Sequence, residues 1–285
     1  MIYLGGFTFP CGDEEFDYIL SIKRKCYNTY YPFGVLSERE FLRAEFEPVT
    51  IFYGGNGSGK TTALNVIADK LRVKRTTPYN RSDFFEAYTD MCTAFPEREI
   101  PKESMIITSD DVFDYMLNIR SINEGIDLKR QELFEDYLDA KYSEFKFKSM
   151  EDYERLKKVN QARSKTQSMY VKKNLMANIR EQSNGESAYM YFTGKITQNN
   201  LYLLDEPENS LSVQRQSELA AFIEESARFF GCQFIIATHS PFLLAVKNAK
   251  IYDLDSEGAV KKWTELKAVR EYYDFFEKHR EELMR

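Results

Sequence analysis

The chain has 285 residues, 43% of them hydrophobic and 15% aromatic, which is enough to bury the core of one large domain or of a domain with an added lobe. No apolar run approaches the roughly 18 residues of a membrane helix, and the N-terminus lacks the features of a secretory signal, so we expect a cytoplasmic protein without membrane insertion. The net charge of −6 argues against nucleic-acid binding through overall basicity.

The first hundred residues combine short β-rich stretches with one glycine-rich loop. Residues 3–9, 16–22 and 43–46 predict strands of an antiparallel edge, because each is β-rich and bounded by Pro, Gly or Asp. Residues 49–53 predict a buried strand that stops at the loop, and residues 60–71 then show helical periodicity.

The remainder of the chain contains a long helical segment followed by alternating strands and helices. After a predicted strand at 105–108, residues 112–180 are helical in composition and highly charged. Strand, helix and strand then follow at 201–204, 213–230 and 233–237, which is typical of a parallel sheet. We therefore predict an α/β core in two parts, residues 1–110 and 183–285, separated by an inserted helical lobe at 111–182.

The last predicted element is an amphipathic helix at 269–284. Its apolar positions include Tyr272, Phe275, Phe276 and Leu283. We expect these side chains to pack into the core.

The glycine-rich loop matches a phosphate-binding motif. Its residues are Gly54, Gly55, Asn56, Gly57, Ser58, Gly59, Lys60 and Thr61, which fit G-x-x-x-x-G-K-[ST] between a predicted strand and a predicted helix. Loop amides and the helix N-terminus attract phosphate, Lys60 suits the β- and γ-oxygens, and Thr61 suits Mg²⁺. A glycine-rich turn without this function has no need of Lys-Thr at the helix start. ATP and Mg²⁺ are the predicted cofactors, and Thr62 joins the nucleotide-binding candidates.

Two acids follow the predicted strand at 201–204. Asp205 is predicted to hold Mg²⁺, and Glu206 to orient and deprotonate the attacking water. Two solvated acids at a strand end are the alternative, which the preceding phosphate loop makes less favourable.

Three further motifs accompany the phosphate loop. They are Ser183-Asn184-Gly185-Glu186-Ser187, Asp205-Glu206-Pro207-Glu208 and Ala237-Thr238-His239-Ser240-Pro241. With them the chain resembles the ABC-type P-loop ATPases, most closely the soluble SMC/RecF-like branch that often carries the AAA-family label. The resemblance covers about residues 1–110 and 180–260. It implies an ABC-type nucleotide-binding domain with an N-terminal antiparallel β subdomain and an inserted helical lobe.

The resemblance also implies roles for individual residues. Ser183, Gly185, Glu186 and Ser187 match the signature that contacts the γ-phosphate held by the opposite subunit, which implies an ATP-dependent head-to-tail homodimer. Taken alone, Ser183 and Glu186 could equally cap a helix. His239 corresponds to the switch histidine that hydrogen-bonds the γ-phosphate, and residues 208–212 occupy the D-loop position at the dimer interface.

One family residue is missing. No glutamine occurs between Thr61 and Arg130, so the glutamine that ligates Mg²⁺ in relatives is absent. Ser109, Asp110 or Asp111 stands at that position, and we take Asp110 as a candidate Mg²⁺ ligand. Capping of the following helix is an equally good interpretation of these acids.

The lobe contains a basic stretch at residues 155–180. It carries Arg155, Lys157, Lys158, Arg163, Lys165, Lys172, Lys173 and Arg180 and no acid. These residues suit a DNA or RNA backbone or an acidic partner protein, while a solvated helix face balanced by nearby acids is the simpler interpretation.

We therefore expect an ATPase that couples nucleotide turnover to nucleic-acid or partner-protein binding, in DNA maintenance or defence by analogy with the family. A nucleotide-gated clamp with slow hydrolysis is the alternative. The ATPase subunit of a transporter is less favoured.

Overall fold

The computed structural model describes residues 1–23, 26–142, 153–175 and 184–284. The chain divides into two compact units. The first consists of Met1–Phe113 and Asn184–Arg285, and the second consists of Asp114–Ser183. The second unit is therefore inserted into the sequence of the first. In the described ranges, no helix is long and apolar enough to cross a membrane.

The strands of the first unit form two sheets. In chain order the strands are β1 (Leu4–Thr8), β2 (Arg43–Glu45), β3 (Val49–Tyr53), β4 (Thr93–Pro96), β5 (Met105–Thr108), β6 (Leu201–Asp205), β7 (Gln233–Ala237), β8 (Lys250–Asp253) and β9 (Ala259–Lys261). An antiparallel sheet has the order β2-β1-β4. The other sheet has the order β5-β6-β7-β3-β8-β9 and is parallel except where β9 joins β8. The predicted α/β fold with an antiparallel β subdomain is confirmed.

Helices cover the parallel sheet and build the second unit. In chain order they are α1 (Gly12–Ser21), α2 (Lys60–Leu71), α3 (Phe85–Met91), α4 (Ser109–Tyr142), α5 (Tyr153–Ser164), α6 (Gln167–Asn174), α7 (Asn184–Lys195), α8 (Val213–Phe229), α9 (Pro241–Leu244), α10 (Lys267–Lys278) and α11 (Arg280–Leu283). Most of α4, with α5 and α6, belongs to the second unit.

Three neighbouring parallel strands end at one level. Phe52 of β3 and Asp205 of β6 both pair with Ala237 of β7. Every residue of these strands is buried, as expected for a parallel sheet covered on both faces. The segments that follow the three strands therefore emerge side by side, which is where open α/β sheets bind ligands.

Aromatic rings join the antiparallel sheet to the parallel one. The Phe41 ring lies 5.6 Å from Phe9, 5.4 Å from Phe52 and 5.5 Å from Tyr252. Full burial of such a side chain stabilises a fold by roughly 1.5–3 kcal/mol. The segment before β2 is thus held firmly against β3 and β8.

The strand predicted at residues 16–22 is wrong, because most of this stretch lies in α1. Asp13, Glu14 and Glu15 occupy the first turn of α1, where acids complement the helix dipole. The Glu14 carboxylate also accepts a hydrogen bond from the backbone N–H of Cys11 (2.8 Å), which closes a capping interaction. These capping residues precede the apolar stretch and decide between helix and strand.

The expected packing of the C-terminal helix is also wrong. The side chains of Tyr272, Phe275, Phe276 and Leu283 are 48%, 58%, 54% and 64% exposed. The helix pair α10–α11 is anchored at its start, where the N–H of Ala268 donates to the hydroxyl of Tyr53 (3.1 Å). Amphipathic periodicity shows that one face is apolar but does not show what covers it.

The second unit has a small core of its own. Tyr137 of α4, Ala162 of α5, and Tyr170 and Val171 of α6 are buried together. The Tyr137 and Tyr170 rings are 5.5 Å apart, and the Tyr137 hydroxyl donates to the backbone oxygen of Lys165 (3.1 Å). These contacts hold α4, α5 and α6 together.

A buried glutamine connects the two sheets by hydrogen bonds. Gln233, the first residue of β7, is fully buried. Its Oε1 accepts from the backbone N–H groups of Tyr3 and Leu4 (2.8 and 2.9 Å), and its Nε2 donates to the Leu4 carbonyl (2.8 Å). The side chain thereby satisfies three backbone groups at the start of β1.

We predict that Gln233→Leu lowers the free energy of unfolding by about 3 kcal/mol or more, because each buried group left without a partner costs roughly 1–3 kcal/mol. Urea denaturation followed by circular dichroism measures this loss. Gln198→Leu is the matched control, since Gln198 is exposed. A loss at residue 233 no larger than the loss at residue 198 would contradict the bridging role.

Candidate nucleotide site

The loop between β3 and α2 has the backbone of a phosphate cradle. Gly57 and Gly59 adopt left-handed φ angles of 78° and 93°, which glycine tolerates best. At Gly54 a Cβ atom would lie 2.5 Å from the Ser58 hydroxyl oxygen. That hydroxyl is buried and has no hydrogen-bond partner among the described residues. The loop leads directly into the N-terminus of α2, which favours an anion there.

Lys60 begins α2 and is almost fully buried, at 4% exposure. Its Nζ donates to the carbonyl oxygens of Gly54 (2.9 Å) and Gly55 (3.1 Å). The same atom lies 3.6 Å from Oε1 of Glu206. The loop therefore holds a buried cation whose partners are backbone oxygens and one acid.

Thr61 and Asp205 meet across the sheet edge. The Thr61 hydroxyl donates to Oδ1 of Asp205 (2.9 Å). Burial raises the pKa of Asp205 to about 7, against the lowering effect of the Thr61 hydrogen bond, and the nearby Glu206 raises it further. A hydroxyl and a desolvated carboxylate are hard oxygen donors, so this pair fits Mg²⁺.

Glu206 adopts an unusual backbone conformation immediately after β6. Its φ angle is 45°, a left-handed value that is uncommon for a residue with a side chain. The Glu206 N–H donates to the Ala237 carbonyl (2.9 Å), while its Oε2 accepts from Nδ2 of Asn209 (3.0 Å). These contacts direct a partly exposed carboxylate toward Lys60.

The turn after β7 carries His239. Its side chain is 47% exposed, and its Nδ1 lies 3.3 Å from Oε1 of Glu208. The backbone N–H of His239 donates to the same oxygen (2.9 Å). His239 and Glu206 thus sit on adjacent turns at the sheet edge, as the strand register requires.

The proposed signature residues lie at the start of α7. Gly185, Glu186 and Ser187 are in its first turn, and Ser183 lies outside the described residues. A Cβ atom on Gly185 would lie 3.4 Å from the backbone of both Ser210 and Ser212. Within this chain, the turn therefore packs against the segment that follows β6.

The acids at the position of the missing glutamine differ in their surroundings. Asp111 is buried, and its Oδ2 accepts from the Thr108 N–H (2.7 Å) while the Asp111 N–H donates to the Thr108 hydroxyl (3.3 Å). This reciprocal pair is a capping box for α4. Asp110 is exposed on the same turn, and its role as a metal ligand stays a prediction.

Arg75, which follows α2, was not anticipated from the sequence. Its guanidinium lies 4.0 Å from the Tyr79 ring centroid and donates to Oδ1 of Asn65 (2.6 Å). Burial lowers the pKa of Arg75, while Tyr79 and Asp111 oppose that shift. Arg75 belongs to no motif, so no sequence signal marked it.

An ion pair outside every motif braces the phosphate loop. Nη2 of Arg39 donates to the Gly57 carbonyl (3.1 Å), and its Nη1 lies 3.4 Å from Oδ1 of Asp255. Oδ2 of Asp255 accepts from the Gly55 N–H (2.7 Å). Residues from two distant parts of the sequence thus hold the loop from outside.

Comparison with known proteins agrees with this geometry. A family model described as "ABC transporter" matches residues 42–209, more than half of the chain. A model for an AAA domain, linked by its description to the AbiEii toxin of type IV toxin–antitoxin systems, matches residues 178–245. The fold and the matched families define a P-loop ATPase domain. The chain belongs to the ABC-type ATPases, so the resemblance drawn from its motifs is confirmed.

The similar solved structures are distant from this chain in sequence. A dimeric ATP-binding cassette bound to ADP and Pi is 13% identical, with 78% of this chain and 88% of that chain covered and a TM-score of 0.37. An Smc head domain from Pyrococcus furiosus, bound to the C-terminal domain of ScpA, is 12% identical, with 84% and 95% covered and a TM-score of 0.38. No curated protein shows significant similarity to the chain.

We predict that Asp255→Ala weakens ATP binding about fivefold. The charge-assisted hydrogen bond to the Gly55 N–H is partly solvent-screened, so its loss should cost about 1 kcal/mol. Titration with a fluorescent ATP analogue measures the dissociation constant. Asp255→Asn keeps an acceptor for Gly55 and should weaken binding less. Equal affinities for wild type and Asp255→Ala would contradict the bracing role.

Proposed function

We propose that this chain binds ATP with Mg²⁺ at the phosphate loop, hydrolyses it to ADP and phosphate, and uses a second copy to complete each site. The observation that carries the proposal is the convergence of four side chains at one sheet edge. Thr61 donates to Asp205, and Lys60 lies 3.6 Å from Glu206. A cation, a hydroxyl and two acids behind a phosphate cradle are the groups that phosphoryl transfer to water needs.

Each group would have a defined task. The loop amides and Lys60 would bind the β- and γ-phosphates, and Thr61 and Asp205 would hold Mg²⁺. Bound there, Mg²⁺ supplies positive charge that offsets the charge of the phosphate oxygens. Lys60 would exchange its carbonyl partners for phosphate oxygens, because these carry more negative charge.

Glu206 is the proposed general base. In the present state one of its oxygens lies near Lys60 and the other accepts from Asn209. Movement of Lys60 toward phosphate would free Oε1 to accept a proton from the attacking water. The left-handed backbone at Glu206 supports this role, because such strain is often retained at functional sites.

The second copy would close the site. Gly185, Glu186 and Ser187 lie in the first turn of α7, where backbone N–H groups of a helix N-terminus attract an anion. Head-to-tail pairing would bring this turn to the γ-phosphate bound by the opposite chain. Binding energy for ATP would then be shared between two protomers.

We predict that Glu206→Gln binds ATP but hydrolyses it about 10² to 10⁴ times more slowly, because an amide cannot accept the proton. Phosphate release measures turnover, and titration with a fluorescent ATP analogue measures binding. Lys60→Ala is the companion variant and should lose binding itself. Unchanged phosphate release by Glu206→Gln would reject the assignment of the base.

The same variant tests the dimer. Light scattering after size exclusion should give a monomer mass without nucleotide and twice that mass with Mg²⁺ and ATP, because the bound nucleotide is no longer consumed. Combining Glu206→Gln with Gly185→Asp should restore the monomer, since a carboxylate there repels phosphate. A monomer mass for Glu206→Gln under saturating MgATP would reject the shared site.

A gated contact with nucleic acid is the second proposal, and it rests on the basic stretch at 155–180. Lys157, Lys158 and Lys172 have exposed side chains, while Arg180 lies outside the described residues. Binding of duplex DNA or RNA that weakens steeply with salt and needs ATP would support it. Binding that is equal with and without ATP would leave the ATPase without this coupling. The same basic surface could instead bind an acidic partner protein, which is the less favoured alternative.

A further inference from the structure

The proposed ATPase contains a buried acid that its mechanism does not use. Glu208 lies in the short turn after β6 and is only 6% exposed. Its Oε1 accepts from the Thr238 hydroxyl (2.7 Å) and from the His239 N–H (2.9 Å). Nδ1 of His239 lies 3.3 Å from the same oxygen. One carboxylate oxygen thus contacts both the backbone and the ring of a single histidine.

Burial of this carboxylate is costly, because its second oxygen has no partner. Oε2 of Glu208 is buried without a hydrogen bond among the described residues. A neutral hydroxyl could hold the turn after β7 at lower desolvation cost. The acid is therefore unusual as a purely structural group, and its contact with the imidazole ring distinguishes it.

The contact favours a proton on one of the two ring nitrogens. A carboxylate only accepts, so a proton on Nδ1, the nitrogen that lies 3.3 Å from Oε1 of Glu208, is the favoured arrangement. In the neutral ring, Nε2 then has a free lone pair on the opposite edge. Donation from Nε2 to a phosphate oxygen needs the doubly protonated ring, for which the Glu208 carboxylate is the counter-charge.

We propose that Glu208 is a positioning residue that fixes the ring orientation and the Nδ1–H form of His239, so that Nε2 faces the terminal phosphate. The effect on catalysis rests on the proposed ATPase function, whereas the contact between Glu208 and His239 does not depend on it. The second contact between the two turns, from the Glu206 N–H to the Ala237 carbonyl, supports it. Glu206 and Glu208, which lie on either side of Pro207, thus contact Ala237 and His239, respectively.

The geometric part is tested without any ATP turnover. The chain contains two histidines, so His279→Gln leaves His239 as the one imidazole. Long-range ¹H–¹⁵N spectra of histidine-labelled protein should show a protonated Nδ1 in the nucleotide-free state. Adding Glu208→Ala should shift the signals toward the Nε2–H form that dominates for free imidazole side chains. A neutral ring protonated only at Nε2 in the presence of Glu208 would overturn the proposal.

The catalytic part is tested by a double-mutant cycle. Glu208→Ala should lower kcat about 10- to 100-fold while changing KM for ATP less than about threefold, because ring orientation matters most during the reaction. Glu208→Gln should recover most of the loss, since its amide oxygen can accept from the same donors. In a His239→Ala background, Glu208→Ala should have no further effect, because the two residues act as one unit.

Controls separate positioning from loss of structure and from failure of the wider proposal. Glu225→Ala, on the exposed side of α8, should leave kcat unchanged. Thermal melting should show that Glu208→Ala still folds. An equal loss of kcat from Glu208→Ala with and without His239 would overturn the positioning role. Absence of ATPase activity in the wild type would overturn the proposed function, whereas the spectra would still decide the Glu208 contact.

Discussion

The hydrogen bond from Thr61 to Asp205 joins the start of α2 to the end of β6, two parts of the chain more than a hundred residues apart in sequence. It can form because β3 and β6 both flank β7 and end at the same level. The bond places a desolvated carboxylate beside a buried lysine, and that burial raises the pKa of Asp205 to about 7. A buried carboxylate is stabilised by a nearby cation, so the edge of the buried hydrophobic sheet favours cation binding at this position.

Around this bond, the loops are held by contacts that leave little freedom. Arg39 and Asp255 brace the phosphate loop, while Glu206 and Glu208 connect the turns after β6 and β7. Most of these contacts involve backbone N–H or C=O groups, so they fix the path of the chain as well as the side chains. Preorganisation of this kind reduces the reorganisation needed when a charged ligand arrives. The left-handed backbone of Glu206 is tolerated within this frame.

Two elements show where periodicity is ambiguous. Residues 16–22 are β-rich, which suits a strand, yet acids and a cap at residues 11–15 start a helix there. In α10 the periodicity is unmistakable, but Phe275 and Phe276 are more than half exposed. A periodic pattern of apolar residues shows that burial of one face would be favourable. Whether that face is buried depends on which other elements pack against it.

The sequence by itself determined the α/β class, the position of the phosphate loop and the two acids at the end of the 201–204 strand pattern, because glycine conformations and Lys-Thr at a helix start need particular residue types at particular spacing. It also marked His239 through its motif. Only the tertiary structure identified Arg39, Asp255 and Arg75 as neighbours of these residues, since each is an ordinary polar residue outside the recognised motifs. Glu208 belongs to a motif, but its burial and its contact with His239 are seen only in the structure. Their importance comes from burial and from partners distant in sequence. A charge acquires its energetic effect from the dielectric and the groups around it, and these exist only after the sheets have packed.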